Sequence, residues 1–594
     1  MFVVRNHGRA LYSPFLVGSR RWAATRGSLK LGPDIYKPHG PLAAELAATD
    51  IWKTAGNGHM RRHKLYDAKR VNLVSEQLCD DVFSYVGHTL DRHRGCDIID
   101  LYPGVGMWSK RLNEYLQPRS HILLEPDAKL YEPYLQPLLD KPGTTLLPKD
   151  GIVWRDLNAV LTPEYLPHQV MPDEEDRHRR NDTLLVTANL VSQPKRGFMT
   201  FDSVANLLLY QFVNALRAGT LFHRYGQVRM LIWVRADDKQ NFLPKNLQRR
   251  TKMGMEAELL CEWIHEICGN DEMLSTWFTR DENINQASLT DTIQRMQALN
   301  FRMPSGRGTE NFNRALATVE SGAELPVLGT EPPVINRLYR EFLASIDASI
   351  DPDAGERVQT TEERVARWRG KVDDKKHRLF LEYLQELDAI KARLRAGETL
   401  KDVEPQALEW SRKLSVEQTQ RRDEFLTFNE NMHLYRQDPP AMLWDRRHYE
   451  PMEVQPEEFY PAVPGALLDI QPKAPHPLLR RGAPKSNDTS NVFDIIFKTA
   501  LAKGAAPIGP QLDALWPGAA DYIMPRMTSA RDWDRGGFLG VRFSETRARS
   551  MNARQWEQLI ELWDEWPFRP EFNELLGRTQ EESEQSLDEA LGEF

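Results

Sequence analysis

The sequence predicts an α/β protein: a Rossmann-like parallel sheet with a long helical insertion and a small C-terminal helical domain. Three observations carry this. Short apolar runs recur between residues 97 and 235, each separated from the next by a helix-like or polar stretch. A glycine turn, Pro-Gly-Val-Gly at 103–106, follows the first of these runs and opens a helix. From about residue 270 the apolar runs give way to charged stretches with apolar positions three or four apart.

Taken in order, residues 1–33 hold six bases and no acid, with Arg5, Arg9, Arg20, Arg21, Arg26 and Lys30 among serines and small apolar residues. That composition reads as a mitochondrial transit peptide. Residues 34–269 form the first part of the α/β domain. In "VNLVSEQLCDDVFSYV" the apolar positions 71, 74, 78, 82 and 86 predict a helix. "CDIIDLY", "HILLEP", "TLLPKD", "DTLLVTANLV" and "QVRMLIWVRA" then predict five strands, and "AELLCEWI" a sixth, with "VANLLLYQFVNAL" as an intervening helix. Residues 162–182 read as a polar surface insertion. Residues 270–440 are the helical insertion, in which 364–400 reads as a long amphipathic helix or an antiparallel pair. Residues 441–475 return to the sheet through "GALLDI"; 476–578 form the C-terminal helical domain, with "NARQWEQLIELWDEW" its clearest helix. Residues 579–594 carry six acids and no base, the composition of a mobile tail.

Composition narrows the function. The net charge is −8, and without the six leader bases the rest of the chain stands near −14. A protein so acidic binds nucleic acid only through local basic patches. Four scattered cysteines, with no CxxC and no zinc spacing, predict reduced buried thiols in a soluble protein and no metal site. No apolar run approaches a membrane span, and no nucleophile elbow or triad is present.

The chemistry-bearing residues lie at the strand ends. Gly104 and Gly106 sit where a strand meets a helix, so backbone N–H groups can approach a ligand closely. Glu125 ends the second strand, in place to accept hydrogen bonds from ribose hydroxyls. Tyr102 stands where a first loop glycine is usual, so neither the dinucleotide nor the phosphate-loop pattern is complete. Basic clusters with aromatics offer nucleic-acid contacts: Arg61, Arg62, Lys64, Lys69 and Arg70 around Tyr66; Lys195 and Arg196 beside Phe198 and Phe201; and Lys245, Arg249, Arg250 and Lys252.

The series D-L-Y-P-G-V-G, L-L-E, L-P-K-D and T-A-N-L resembles the ribosomal RNA adenine dimethyltransferases. "EEFYPAVPGALLDIQPK" is similar to that family's closing strand. The resemblance implies an S-adenosylmethionine site at Asp100, Tyr102, Gly104, Gly106, Glu125, Asp150 and Asn189, with Glu125 on the ribose and Asp150 on the adenine. The departures fall on the catalytic pocket. Tyr102 replaces a glycine, its ring expected near the methionine end of the cofactor. The target-base loop is degenerate at Asn189, Leu190, Val191 and Ser192, without its proline and aromatic, and "RVNLV" at 70–74 lacks the upstream glutamine. No residue is assigned a catalytic role.

A kept scaffold with a disarmed pocket resembles the mitochondrial transcription factor B proteins, whose fungal branch has loops similar to "YPGVG", "TANL" and "RYGQVRMLIWV". This implies a non-enzymatic initiation factor in the mitochondrial matrix. Its partners would be a single-subunit mitochondrial RNA polymerase and promoter DNA, and S-adenosylmethionine binding would be retained or vestigial. The alternatives are an S-adenosylmethionine-dependent rRNA adenine N6-dimethyltransferase of the mitochondrial small subunit, or a non-catalytic ribosome assembly protein of the same fold, either with mitochondrial rRNA or the small subunit as partner.

Overall fold

The computed structural model describes residues 33–52, 65–195, 197–198, 201–270, 280–322, 327–349, 359–481, 487–533 and 539–578. The leader, the acidic tail, Arg61, Arg62, Lys64 and Arg196 lie outside the described residues.

The first apolar runs become strands. After a short β1 (Asn72–Leu73) come β2 (Asp97–Leu101), β3 (Ser120–Leu124), β4 (Thr144–Leu147), β5 (Arg180–Asn189) and β6 (Gln227–Arg235). Then follow β7 (Cys261–Gly269), β8 (Met452–Glu453), β9 (Phe459–Tyr460) and β10 (Gly465–Pro472). Eight strands form one sheet in the order β4-β3-β2-β5-β6-β10-β7-β8, and β1 pairs with β9 separately. β2, β3, β4, β5 and β6 pair in parallel; β10 is antiparallel to both β6 and β7. "GALLDI" thus enters the sheet between two strands that precede it by far in the chain.

Two sequence expectations shift. The helix expected from residue 71 begins at Glu76, because Ser75 caps it (its Oγ accepts from the Leu78 N–H at 3.1 Å) and residues 72–73 pair as β1. The sixth strand begins at Cys261, since Ala257–Leu260 finishes the helix Lys252–Leu260. Ala, Glu and Leu favour a helix, and the β-compatible residues start only at Cys261.

Side chains alternate across the sheet. Ile99, Leu101, Val186 and Ile232 face a core shared with the helix Val204–Ala218 and with C-terminal residues Phe493, Trp556 and Trp563. Ile98, Leu185, Leu231 and Trp233 face the other core, with Leu78, Val82, Leu112 and, from the insertion, Leu289, Ile293 and Phe312. The first helices of the insertion, Glu282–Ala298 and Glu310–Glu320, are therefore bound to the sheet. The expected long helix runs unbroken over Thr361–Arg395 and packs on Leu400–Ser415 and Thr419–Arg436 around a separate core of Phe380, Leu384, Leu387, Trp410 and Phe425. All four cysteines are buried free thiols. No helix among the described residues is long and apolar enough to cross a membrane, and no metal-binding group occurs among them.

Candidate nucleoside site

β2 has β3 on one side and β5 on the other, so the sheet's order reverses there, the position at which open α/β sheets bind ligands beyond their strand ends. The glycine turn sits at this point. Gly104 (φ +58°) and Gly106 (φ +73°) take left-handed conformations, and Tyr102 (φ +58°) takes one with a side chain attached, a strain of roughly 1–3 kcal/mol. A Cβ on Gly104 would strain the left-handed backbone and displace Asn72 Oδ1, which accepts from the Val105 N–H at 3.3 Å.

Glu125 is fully buried at the end of β3, but the groups on its carboxylate belong to the protein itself. Arg70 grips it with both terminal nitrogens, Nη1 donating to Oε1 at 3.0 Å and Nη2 to Oε2 at 3.1 Å. The Gly104 N–H donates to Oε2 at 3.0 Å and the Asp127 N–H to Oε1 at 3.1 Å. Arg70 Nη2 also donates to the Tyr102 carbonyl at 2.9 Å. Its guanidinium lies 4.9 Å from the Tyr102 ring centre and 5.6 Å from that of Tyr131. Burial alone would lower the Arg70 pKa; the Glu125 charge and hydrogen bonds, together with Tyr131 and Tyr102, outweigh it and hold the guanidinium above its ordinary value.

The second acid is engaged in the same way. The Tyr102 hydroxyl donates to Asp150 Oδ1 and accepts from the Ile152 N–H at 2.9 Å. Burial, then the Asp150 charge, raises the Tyr102 pKa, so the phenol stays protonated. The Tyr102 ring thus reaches Asp150, the acid that the resemblance assigns to the adenine.

Asp100 is buried at the end of β2, with His121 Nε2 3.4 Å from its Oδ2. Asn189 Nδ2 donates to the Val71 carbonyl at 2.9 Å, and its Oδ1 accepts from the Val191 N–H at 3.2 Å. Val191 is bonded in turn to the segment carrying Arg70 (Val71 N–H to Val191 carbonyl, 3.3 Å), and Arg70 bridges Ser192. Leu190 and Val191 are buried. The degenerate target-base loop is thus fastened to residues 69–71. Between Asp100, Asn189, Trp108 and Trp233 a cavity of about 10 Å³ remains, room for about one water molecule. Both acids that the resemblance assigns to the nucleoside are thus bonded from within the chain.

The structure brings together Asp100, Tyr102, Gly104, Gly106, Glu125, Asp150 and Asn189, and adds Arg70, Asn72 and Tyr131. In the sequence nothing sets Arg70 apart from the basic run 61–70 in which it stands. Three proposed nucleic-acid contacts are corrected. Arg70 is buried in this site. Lys195 pairs with Asp238 at 2.8 Å and Asp237 at 3.0 Å, against a burial cost, and its pKa is raised. Arg250 is buried, its Nε donating to Glu258 Oε1 at 3.0 Å. Arg249 is half-buried, which lowers its pKa, and Lys69 is half-buried. A different cluster stands at the surface after β5. Phe198 is 47% exposed and bridges Phe201; Phe201 lies 5.5 Å from Tyr210, and Lys252 donates to the Tyr210 hydroxyl at 3.2 Å. Trp154, 44% exposed, donates to Gln211 on the same helix.

Residues 74–265 match the family model described as ribosomal RNA adenine dimethylase. Among curated proteins, Mitochondrial transcription factor 1 of Saccharomyces cerevisiae is 22% identical over 178 residues, 30% of this chain and 46% of that protein. The protein of the same name from Saccharomyces paradoxus is 24% identical over 162 residues (27% and 43%), and that of Lachancea kluyveri 23% over 139 residues (23% and 36%). The chain thus matches less than half the length of these relatives. A dimethyladenosine transferase from Plasmodium falciparum aligns over 53% of this chain and 89% of its own, at 12% identity and a TM-score of 0.22. The matches bear out the resemblance read in the sequence, to a dimethylase-type domain and to the mitochondrial transcription factor B proteins related to it.

Proposed function

We propose that this chain is a mitochondrial transcription initiation factor that helps a single-subunit mitochondrial RNA polymerase recognise and melt promoters in the matrix, on a methyltransferase scaffold that no longer transfers methyl groups. The observation that carries this reading is Arg70 on Glu125: the acid that would hold the ribose is neutralised, buried and bonded from within the chain. The names of the curated relatives support the same direction. S-adenosylmethionine has no part in this role. Melted DNA requires a surface that holds single strands by stacking and by phosphate contact. The exposed aromatics Phe198 and Trp154, with Phe201 against Tyr210, supply the stacking part of such a surface beside the old base loop.

The test is run-off transcription by the cognate polymerase with and without the chain, on duplex and on pre-melted promoter, beside calorimetric titration with S-adenosylmethionine. Stimulation confined to the duplex and no cofactor heat are expected. Cofactor binding in the micromolar range together with methylation of small-subunit rRNA would replace this reading with the dimethyltransferase.

A further inference from the structure

The helix Thr361–Arg395 is longer than the bundle that holds it. Its contribution to the bundle core begins at Phe380, and among the described residues the ion pairs of Thr419–Arg436 with it begin at Lys376, which meets Glu424 at 3.0 Å. N-terminal of this, one face is covered by the helix Leu338–Ser349. Arg367 pairs with Asp347 at 2.6 Å, Asp374 with Arg340 at 2.7 Å, and Asp373 accepts from Tyr339.

The neighbouring face is bare and apolar. Val365 (40% exposed), Trp368 (56%) and Val372 (47%) succeed one another at helical spacing, within a strip roughly 60° wide at 100° per residue. None of them joins a hydrophobic cluster of the molecule. Arg364, Lys371 and Lys375 flank the strip on one side and Arg369 on the other. Among the described residues none of these four forms an ion pair, whereas Arg367, Asp373, Asp374 and Lys376 of the same turns are all paired. Among the described residues 364–376 the charges without an ion-pair partner are thus all bases, and they border the apolar strip.

We propose that this arm is the docking face for an acidic amphipathic helix of a partner protein. Trp368 is the anchor, set between two valines, in the manner of the tryptophans that dominate interface energies. The four bases meet acids at the edges of the partner's apolar stripe, as flanking charges select partners in paired helices. A second copy of this chain would bring like charges together. A nucleic-acid strand would use Trp368 and the bases and leave both valines without a role, since bases stack on aromatic rings.

The probes are two fluorescent 21-residue amphipathic peptides sharing one leucine stripe, one flanked by glutamate and one by lysine, with a single-stranded oligothymidylate as third probe. They are titrated against the full chain by polarisation. The acidic peptide binds, and Trp368→Ser weakens it by about tenfold or more. The reversal Arg364→Glu, Arg369→Glu, Lys371→Glu, Lys375→Glu transfers the preference to the lysine peptide, with thermal unfolding of each variant confirming the fold. Absence of acidic-peptide binding, binding indifferent to Trp368→Ser, or tighter Trp368-dependent binding of the oligothymidylate would overturn the proposal.

Discussion

At the scale of single residues, Arg70 decides what the site is. Its guanidinium meets Glu125 twice, the Tyr102 carbonyl once and two aromatic faces. Arg70→Ala would strand a fully buried carboxylate, a loss of about 3–5 kcal/mol, to be read as a lower urea midpoint with unchanged slope. Arg70→Lys is expected to fall between, keeping the charge and losing the two-pronged bond. A midpoint unmoved by Arg70→Ala would show that Glu125 is served by other groups. Little of this was legible beforehand. The loop and Glu125 stood out because strand, turn and acid lie close in sequence. Arg70 is 55 residues from Glu125 and sits in a basic run, which reads as a solvated patch. Lys195 misled for the same reason: its acids, Asp237 and Asp238, are supplied by the end of another strand, more than 40 residues away.

At the scale of elements, the parallel half of the sheet was legible because each strand is a short apolar run with its own helix or loop beside it. The sixth strand was misplaced because Leu259 and Leu260 are apolar in either setting, and what precedes them favours a helix. "GALLDI" was recognised as a returning strand, but its place between β6 and β7 depends on pairings that no local pattern records. That place has a consequence. Arg229 of β6 is bound to Asp469 of β10 at 2.7 and 2.6 Å, both side chains buried. Asp469→Asn leaves this arginine without its counter-charge and is expected to destabilise the fold by about 3–5 kcal/mol, measured by chemical denaturation. A loss below about 1 kcal/mol would mean that the pair adds little to the β6–β10 seam.

At the scale of the whole molecule, pH acts through several imidazoles at once. Burial lowers the pKa of His223 and His265 to about 3, and that of His93, His178 and His377 to about 4. The unfolded chain protonates these groups near 6.5, so between about 6.5 and 4 it binds more protons than the native state, and stability falls as pH falls through that window. Asp281, raised to about 6 by burial, acts oppositely: its native carboxyl takes up a proton first and favours the fold as pH falls from 6 toward 3.8. His433 and His448 are lowered too, while burial also raises Asp127, Asp238 and Glu256. Seven imidazoles against four carboxyls predict a net loss, seen as a thermal midpoint dropping from pH 7 to pH 4.5. A midpoint flat over that interval would mean that the imidazoles reach water in the folded state. The composition had already excluded a general nucleic-acid binder, yet which histidines are buried depends on packing across the two faces of the sheet.

The position of β10 also has a meaning in time. β7 ends at Gly269 and β10 begins at Gly465, so some 195 residues must emerge before the strand that joins β6 to β7 exists. At synthesis rates of about 5–20 residues per second the nascent chain carries two open strand edges for roughly 10–40 s. During that interval unpaired edges invite pairing with other chains. Pairing of residues 465–472 with β6 and β7 closes both edges at once.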